Sequence, residues 1–157
     1  MSKTGGTEGI KIVAQNRRAS HDYFLEERFE AGLALLGSEI KSIRAGKVNL
    51  RDAYVRVEAG QATLLNAHIA GYEPAARQNH EPLRPRRLLL HKKEIRRLAE
   101  EVQQKGYTII PTKMYLSKGR AKLEIALAKG KKLYDKRQAI AKRDAEREMR
   151  REMGRRG

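Results

Sequence analysis

The stretch YTIIPTKMYLSKGRAKLEIALAKGKK, residues 107–132, decides the fold. Both halves are rich in apolar and β-branched residues, and a glycine lies in the segment Lys118–Arg120 between them. This composition predicts two antiparallel strands joined by a tight turn. Pro111 lies inside the first half. Because proline has no backbone N–H to donate, we expect a sheet edge, a bulge or a strand break there.

Two other regions predict further strands. YFLEERF and GLALLG, within residues 23–37, predict a strand pair joined near Glu30–Gly32, and AYVRVEAGQATLLNAHIAGY, residues 53–72, predicts two strands around a turn at Ala59–Gln61. With residues 107–132 these make at least six short strands. Antiparallel strands in so short a chain favour a mainly β fold, a small closed barrel of about six strands, because closure removes exposed sheet edges.

Helices are predicted between the strands. SEIKSIRAG, residues 38–46, predicts a short helix with Ser38 as its N-cap and Gly46 beyond its end. HKKEIRRLAEEVQQKG, residues 91–106, predicts a longer one that Gly106 ends. Its apolar residues recur at helical spacing along one face, at Ile95, Leu98, Ala99 and Val102.

The charge of the chain points to a polyanionic partner. Thirty-five Lys and Arg against 19 Asp and Glu give a formal net charge of +16 on 157 residues, more than fold stability requires. The chain has no long apolar run, secretory signal or lipidation motif to favour a membrane surface. Nucleic acid is therefore the first partner to expect. The absence of cysteine is compatible with a reducing cytoplasm.

Motifs for enzymatic chemistry are missing from the sequence. The four histidines, His21, His68, His80 and His91, lack metal-ligand spacing. The sequence also lacks a nucleophile elbow, a Walker-type phosphate loop and a dinucleotide fingerprint. We therefore expect no metal, no cofactor and no catalytic residues.

One folded domain with a tail at each end is expected along the chain. Residues 1–11 are small and polar and predict a disordered N-terminus, and residues 12–133 form the folded body. Residues 134–157 form a basic tail whose few apolar residues have helical spacing but little area, so we expect it to be disordered when free. Within the body, residues 73–87 hold three of the four prolines and predict a long basic loop.

A polar, basic cluster comes before the first predicted strand pair. Arg17 and Arg18 suit phosphates, and His21 and Tyr23, as alternate residues on one strand face, offer flat rings for unstacked bases. The alternative is that the arginines are solvated charges, His21 a turn residue and Tyr23 part of the core. The cluster alone does not decide between the two.

Three segments in order carry a family resemblance: NRRASHDYFLEERFEAGLALLGSEIKSIRAGK (16–47), RRLLLHKKEI (86–95) and AKLEIALAKGKKLYDKR (121–137). Together they resemble the small protein B (SmpB) family, the bacterial tmRNA-binding proteins of trans-translation, over about residues 12–143. The resemblance implies an oligonucleotide-binding-type barrel with two or three flanking helices that grips the tRNA-like domain of tmRNA. It also implies a role in delivering alanyl-tmRNA to ribosomes stalled on messenger RNA without a stop codon.

The resemblance also implies the residues that face tmRNA. They are Asn16, Arg17, His21, Tyr23, Glu30, Lys41, Arg44, Lys47, Leu89 and Lys122. The basic residues would neutralise phosphates, His21 would stack, and Leu89 would contact a splayed base. Glu30 would accept from a base amine or a 2′-hydroxyl, or would orient an arginine. Two alternatives stay open, a core position for Leu89 and a plain ion pair for Glu30.

A second set follows from the same resemblance and is expected to engage the ribosome. It comprises Gly130, Lys131, Lys132, Tyr134, Asp135, Lys136 and Arg137. The tail beyond it is implied to form a helix in the messenger channel, and the alternative is a solubilising charged tail. The competing function for the whole chain is a structural ribosomal protein or a general RNA chaperone on a similar barrel. We expect the free protein to be a monomer.

Overall fold

The computed structural model of the chain describes residues 10–72, 79–131 and 143–150. In these ranges the strands are β1 (Ile10–Gln15), β2 (Tyr23–Leu33), β3 (Val48–Asn49), β4 (Tyr54–Glu58), β5 (Gln61–Leu65), β6 (His68–Ile69), β7 (Arg86–Leu89), β8 (Thr108–Ser117) and β9 (Arg120–Gly130). The helices are α1 (Arg17–Asp22), α2 (Gly37–Arg44), α3 (Lys92–Lys105) and α4 (residues 143–150). Because β1 begins at Ile10, the prediction of disorder is wrong for residues 10 and 11.

Strands β8 and β9 form the hairpin that the sequence predicts. Lys118 and Gly119 have φ values of 51° and 77°, as a two-residue type I′ turn requires. The register shifts between Pro111 and Lys113. This irregularity confirms the expected bulge at the proline.

Strands β4 and β5 form the second predicted hairpin. Its turn is made by Ala59 and Gly60, whose φ values are 51° and 74°, and Gln61 already pairs with Glu58 across the ladder. The predicted position of this turn is confirmed.

Six antiparallel strands close into a ring. They follow each other in the order β4, β5, β7, β2, β9 and β8, and the pairing of Val55 with Ile109 joins β4 back to β8. Strand β1 pairs with residues 113–117 of β8, beyond the point that β4 reaches. The short strands β3 and β6 pair separately. The predicted small closed barrel is confirmed.

The prediction of two strands within residues 23–37 is wrong, because Tyr23–Leu33 is one continuous strand. Gly32, placed near a turn by the prediction, instead pairs with Lys122 on one side and with Leu89 on the other. A Cβ built on Gly32 would lie 3.3 Å from the Cβ of Leu89. The glycine therefore permits a close approach between two strands and makes no turn.

The barrel interior is filled by the inward-facing residues of its strands. Leu123, Ile125 and Leu127 of β9 pack with Met114 of β8 and Leu64 of β5, and each is at most 2 % exposed. Burying one such side chain stabilises the fold by about 1.5–3 kcal/mol. The alternate residues of these strands face outward; Ala128 is buried there against Ala19, and those near Lys122 belong to the surface described below.

Helices α2 and α3 cover parts of the barrel. Helix α3 buries Leu98 completely and ends at Gly106, whose φ of 69° confirms the predicted stop. The prediction that Ser38 caps α2 is wrong. The N-cap is Leu36, whose N–H donates to Glu39 Oε1 at 2.8 Å, while the Ser38 hydroxyl lies 2.9 Å from His80 Nδ1.

The predicted basic loop is shorter than expected, because Arg86 and Arg87 begin β7. Residues 73–78 lie outside the described part of the chain. Arg86 is fully buried and pairs with the equally buried Glu39, and Arg84 pairs with the same carboxylate at 2.6 Å. Arg86 is therefore a buried structural residue of β7, and Arg84, which lies in the loop, is held by the same carboxylate.

Candidate nucleic-acid interface

The polar cluster at residues 16–23 lies on a helix and not on a strand. Ala19 of α1 is 2 % exposed and packs with Ile110 and Ala128 in a small second core. Because Ala19 is small, α1 lies directly against β8 and β9. His21 belongs to this helix and Tyr23 begins β2, so the prediction that both share one strand face is wrong.

Asn16 anchors this helix from inside the protein. The residue is 7 % exposed, its N–H donates to Thr112 O at 2.7 Å, and its Nδ2 donates to Pro111 O at 3.0 Å. Both acceptors lie at the bulge of β8. The side chain of Asn16 thus positions the neighbouring basic residues, and a direct contact between this side chain and RNA remains a prediction.

The side chains that follow Asn16 are open to solvent. Arg17 is exposed, and the His21 side chain is 86 % exposed, with its Nδ1 2.8 Å from Asp22 Oδ1. Tyr23 is half-buried beside a cleft of about 290 Å³ that Arg51 and Tyr54 also line. The arrangement exposes a cation and the face of an imidazole ring to solvent, where a nucleic acid can contact them.

A second cleft, of about 370 Å³, lies at the far end of β2. Glu30 of β2, Leu89 of β7 and Lys122 of β9 all line it. Leu89 is 55 % exposed and its neighbour Leu88 is 2 % exposed. The structure therefore places Leu89 outside the core, and it brings together three predicted residues that are far apart in the sequence.

Two further residues of this cleft region were not predicted. Tyr115 of β8 donates its hydroxyl hydrogen to Glu30 Oε2; burial and this bond raise the pKa of the Tyr115 phenol, so the hydroxyl remains a donor at neutral pH. The alternative of a plain ion pair for Glu30 is replaced by this contact. Arg87 is exposed and, unlike Tyr115, lines the cleft itself. Its alternation with Leu89 in the sequence RRLL is the signal that would have found it.

The three basic residues predicted around α2 form a separate patch. Lys41, Arg44 and Lys47 are all exposed. Lys41 Nζ lies 5.5 Å from the centre of the Tyr72 ring, a cation–π distance. Gly46, with a φ of 75°, ends the helix and lets the chain turn before Lys47.

Of the residues predicted to engage the ribosome, Gly130 and Lys131 lie in the described part of the chain, close to α1. Gly130 pairs with Tyr23. Lys131 Nζ donates to Ser20 O at 3.0 Å and lies 5.4 Å from the centre of the Phe24 ring. The remaining predicted residues, Lys132, Tyr134, Asp135, Lys136 and Arg137, lie outside the described residues. The tail helix α4 has all eight of its residues exposed.

Apart from the patch around α2, the predicted residues in the described part of the chain thus divide between the two ends of β2. Tyr23 begins the strand and Glu30 lies seven positions further on, about 23 Å away at the usual rise of a strand. The first end combines α1 with Gly130 and Lys131, and the second holds the cleft of Glu30, Leu89 and Lys122.

Comparison with known proteins identifies the family. The family model described as "SmpB: SmpB protein" matches residues 13–155. The chain belongs to the SmpB family. An SsrA-binding protein of Shouchella clausii is 60 % identical over 145 residues, 92 % of each chain, and one of Caldicellulosiruptor bescii is 58 % identical over 153 residues, 98 % of this chain and 97 % of the relative.

A solved structure resembles the SmpB fold found here. It is described as "tmRNA-SmpB: a journey to the center of the bacterial ribosome" and is 49 % identical to this chain. The match has a TM-score of 0.65 and covers 76 % of this chain and 84 % of the other. In the described residues, no helix is long and apolar enough to cross a membrane, and no group of three or more His, Asp and Glu could hold a metal ion.

Proposed function

We propose that this SmpB-family chain binds tmRNA and acts in trans-translation as an RNA-binding cofactor without bond-making chemistry of its own. It holds the tRNA-like domain of tmRNA and helps alanyl-tmRNA enter ribosomes stalled on messenger RNA without a stop codon, in the cytoplasm. The observation that carries the proposal is the meeting of Glu30, Leu89 and Lys122 at one cleft. The names of the relatives support the identity of the RNA.

Each residue of the cleft has a separate physical role. Lys122 neutralises a phosphate, and the exposed Leu89 contacts a base or ribose that is not stacked in a helix. Glu30 accepts a hydrogen bond from a base amine or a 2′-hydroxyl, with its carboxylate oriented by Tyr115. The net charge of +16 adds an attraction that does not depend on sequence.

The opposite end of β2 supplies the second set of contacts. Arg17, His21 and Tyr23 contact tmRNA there, and Gly130 and Lys131 begin the segment that engages the ribosome. The contact of Lys131 with α1 supports this continuity. We further propose that residues 12–133 act as the tmRNA-binding body, and that the tail enters the empty decoding site and messenger channel as a helix.

The test compares two leucines of similar exposure. Leu89, 55 % exposed, lies in the cleft, whereas Leu83, 50 % exposed, does not line it. Binding of each alanine variant to the labelled tRNA-like domain is measured by fluorescence anisotropy. We expect Leu89→Ala to weaken binding several-fold and Leu83→Ala to bind like the wild type, with unchanged thermal midpoints in both. Wild-type affinity of Leu89→Ala would contradict the assignment of the cleft.

A further inference from the structure

The strand register extends the outer surface beyond the cleft. Leu89 pairs with Gly32, Gly32 with Lys122, Lys122 with Tyr115, and Tyr115 with Ile12, on the successive strands β7, β2, β9, β8 and β1. Directly opposed residues of antiparallel strands share one face of the sheet. We call these five positions the cross-strand row.

The cross-strand row lies on the outside of the barrel. The residues adjacent to it along the strands, among them Leu88, Leu123 and Met114, are at most 2 % exposed and belong to the core. The two ends of the row are open, since Leu89 is 55 % and Ile12 is 46 % exposed. Tyr115, between them, is 6 % exposed; its hydroxyl donates to Glu30, and Lys113 Nζ lies 5.9 Å from the centre of its ring. Four interstrand steps of about 4.8 Å separate the two ends by about 19 Å along the surface.

The charges around the cross-strand row suit a polyanion. Lys122 lies within it, and Lys113 and Arg120 flank it on the same face, at alternate positions of their strands. The two carboxylates on this face already accept hydrogen bonds from protein groups. Glu30 accepts from Tyr115. Glu124 accepts from Thr112 and Arg28. The lysines and the arginine are therefore the groups that meet phosphates.

Exposed isoleucines occupy the far end of the row. Ile10 and Ile12 lie two residues apart on one face of β1 and are 37 % and 46 % exposed. Within the described residues, β8 is the one strand that pairs with β1. Uncovered apolar residues on an edge strand favour aggregation, so their presence points to a partner that covers them.

We propose that one RNA-binding surface runs along the cross-strand row from Leu89 to Ile12, with Lys113, beside the buried ring of Tyr115, joining its two exposed ends. Ile12 is then a second apolar contact for unpaired nucleotides of the same RNA that occupies the cleft, and Ile10 extends it. The inference rests on the proposed function and adds β1 to its binding surface. RNA is favoured as the occupant because the row is continuous with the cleft and is lined by Lys113, Arg120 and Lys122.

A matched pair of variants tests this surface. Ile12→Ser changes the row, and Leu36→Ser changes an equally exposed residue, at 47 %, at the start of α2. Binding of both full-length variants to the tRNA-like domain is measured beside wild type and Leu89→Ala. We expect Ile12→Ser to weaken binding about fivefold or more and Leu36→Ser to leave it unchanged.

The outcomes separate this inference from the proposed function. If Leu89→Ala weakens binding and Ile12→Ser does not, the extended surface is wrong and the cleft stands. If the wild type shows no preference for tmRNA, the proposed function fails. If Ile12→Ser keeps its tmRNA affinity but loses tagging on stalled ribosomes, the isoleucines contact another partner and the inference is overturned.

A second measurement on the wild type removes any dependence on the stability of the variant. Methyl resonances of isoleucine are followed while the tRNA-like domain is added. The Ile12 methyl should shift on binding, whereas that of Ile69, which is fully buried, should stay in place. An Ile12 resonance that stays in place at saturation would overturn the inference.

Discussion

Arg86 Nε lies 2.6 Å from Glu39 Oε2, and both side chains are fully buried. Arg84 binds the second carboxylate oxygen at 2.6 Å, and Arg86 Nη1 donates to Ala67 O at 2.7 Å. Burial alone would raise the pKa of Glu39, but the hydrogen bonds from Arg84, the Leu36 N–H and Arg86 lower it below its ordinary value. The carboxylate therefore joins α2 to the start of β7 in its charged form.

The buried Glu39 predicts a large loss of stability on substitution. Glu39→Gln leaves two arginines facing an uncharged group and should lower the free energy of unfolding by about 3–5 kcal/mol. The control is Glu58→Gln, since the Glu58 pair with Arg56 is exposed and contributes about 0–1 kcal/mol. Urea denaturation followed by circular dichroism measures both; equal midpoints for the two variants would contradict the prediction.

The same group predicts a dependence of stability on pH. Because its folded pKa is lowered, the stabilisation from Glu39 is fully present above the unfolded value, about 4.3, and is lost as the pH falls through the folded pKa. The wild type should therefore lose more stability than Glu39→Gln below about pH 4.3. Thermal midpoints measured across this range check it, and parallel curves would rule it out.

Tyr115 predicts a binding effect that can be separated from stability. Tyr115→Phe removes the hydroxyl that holds Glu30, so tmRNA affinity should fall several-fold. Tyr107→Phe is the control because the Tyr107 hydroxyl makes the same bond to Glu26, which does not line the cleft. Anisotropy titrations of both variants give the comparison. Equal affinities would show that the hydroxyl does not orient Glu30 for RNA.

Substitution of Glu30 and Lys122 should reduce RNA binding without affecting folding. Both line the cleft and neither belongs to the core, so replacing both by alanine should lower tmRNA affinity while unfolding stays cooperative. Calorimetry beside a binding titration tests the double variant. A broad or lowered unfolding transition would show that these positions are structural.

Disrupting the tail helix should abolish peptide tagging without weakening the binding of tmRNA. Glu148→Pro interrupts the helix described over residues 143–150, at a cost of about 3 kcal/mol, and removes nothing from the barrel. Peptide tagging on stalled ribosomes should fail while tmRNA affinity stays normal. Truncation before Asp135 should do the same. Glu148→Ala removes the charge without the proline and should tag; normal tagging by Glu148→Pro would mean that the tail acts without this helix.

Local signals in the sequence were sufficient for much of the barrel. Gly60 and Gly119 correctly predicted two hairpin turns, and Gly106 correctly predicted the end of α3. These predictions succeed because each depends only on neighbouring residues. To predict that Leu89 is exposed, one must also know which face of β7 points outward, and that depends on residues far away in the sequence. Its exposure is decided by the burial of Leu88.

The predictions from sequence that were wrong depend on contacts between residues far apart in the chain. Helix α1 exists because Ala19 packs on Ile110 and Ala128, more than 90 positions away, and no local pattern reports that contact. Gly32 resembles a turn residue until its contact with Leu89 is known. Likewise, Arg86 resembles a loop charge until Glu39 is placed beside it.

Competition binding tests the central claim most directly. Full-length tmRNA competes against an equal mass of bulk tRNA for the wild-type protein over a range of salt concentrations. We predict that tmRNA displaces the labelled tRNA-like domain at much lower concentration. We also predict that log K falls against log salt with a slope of roughly −4 to −5, for about six neutralised phosphates. Equal displacement by the two RNAs at moderate salt would contradict specific recognition and would favour a general RNA chaperone or ribosomal protein.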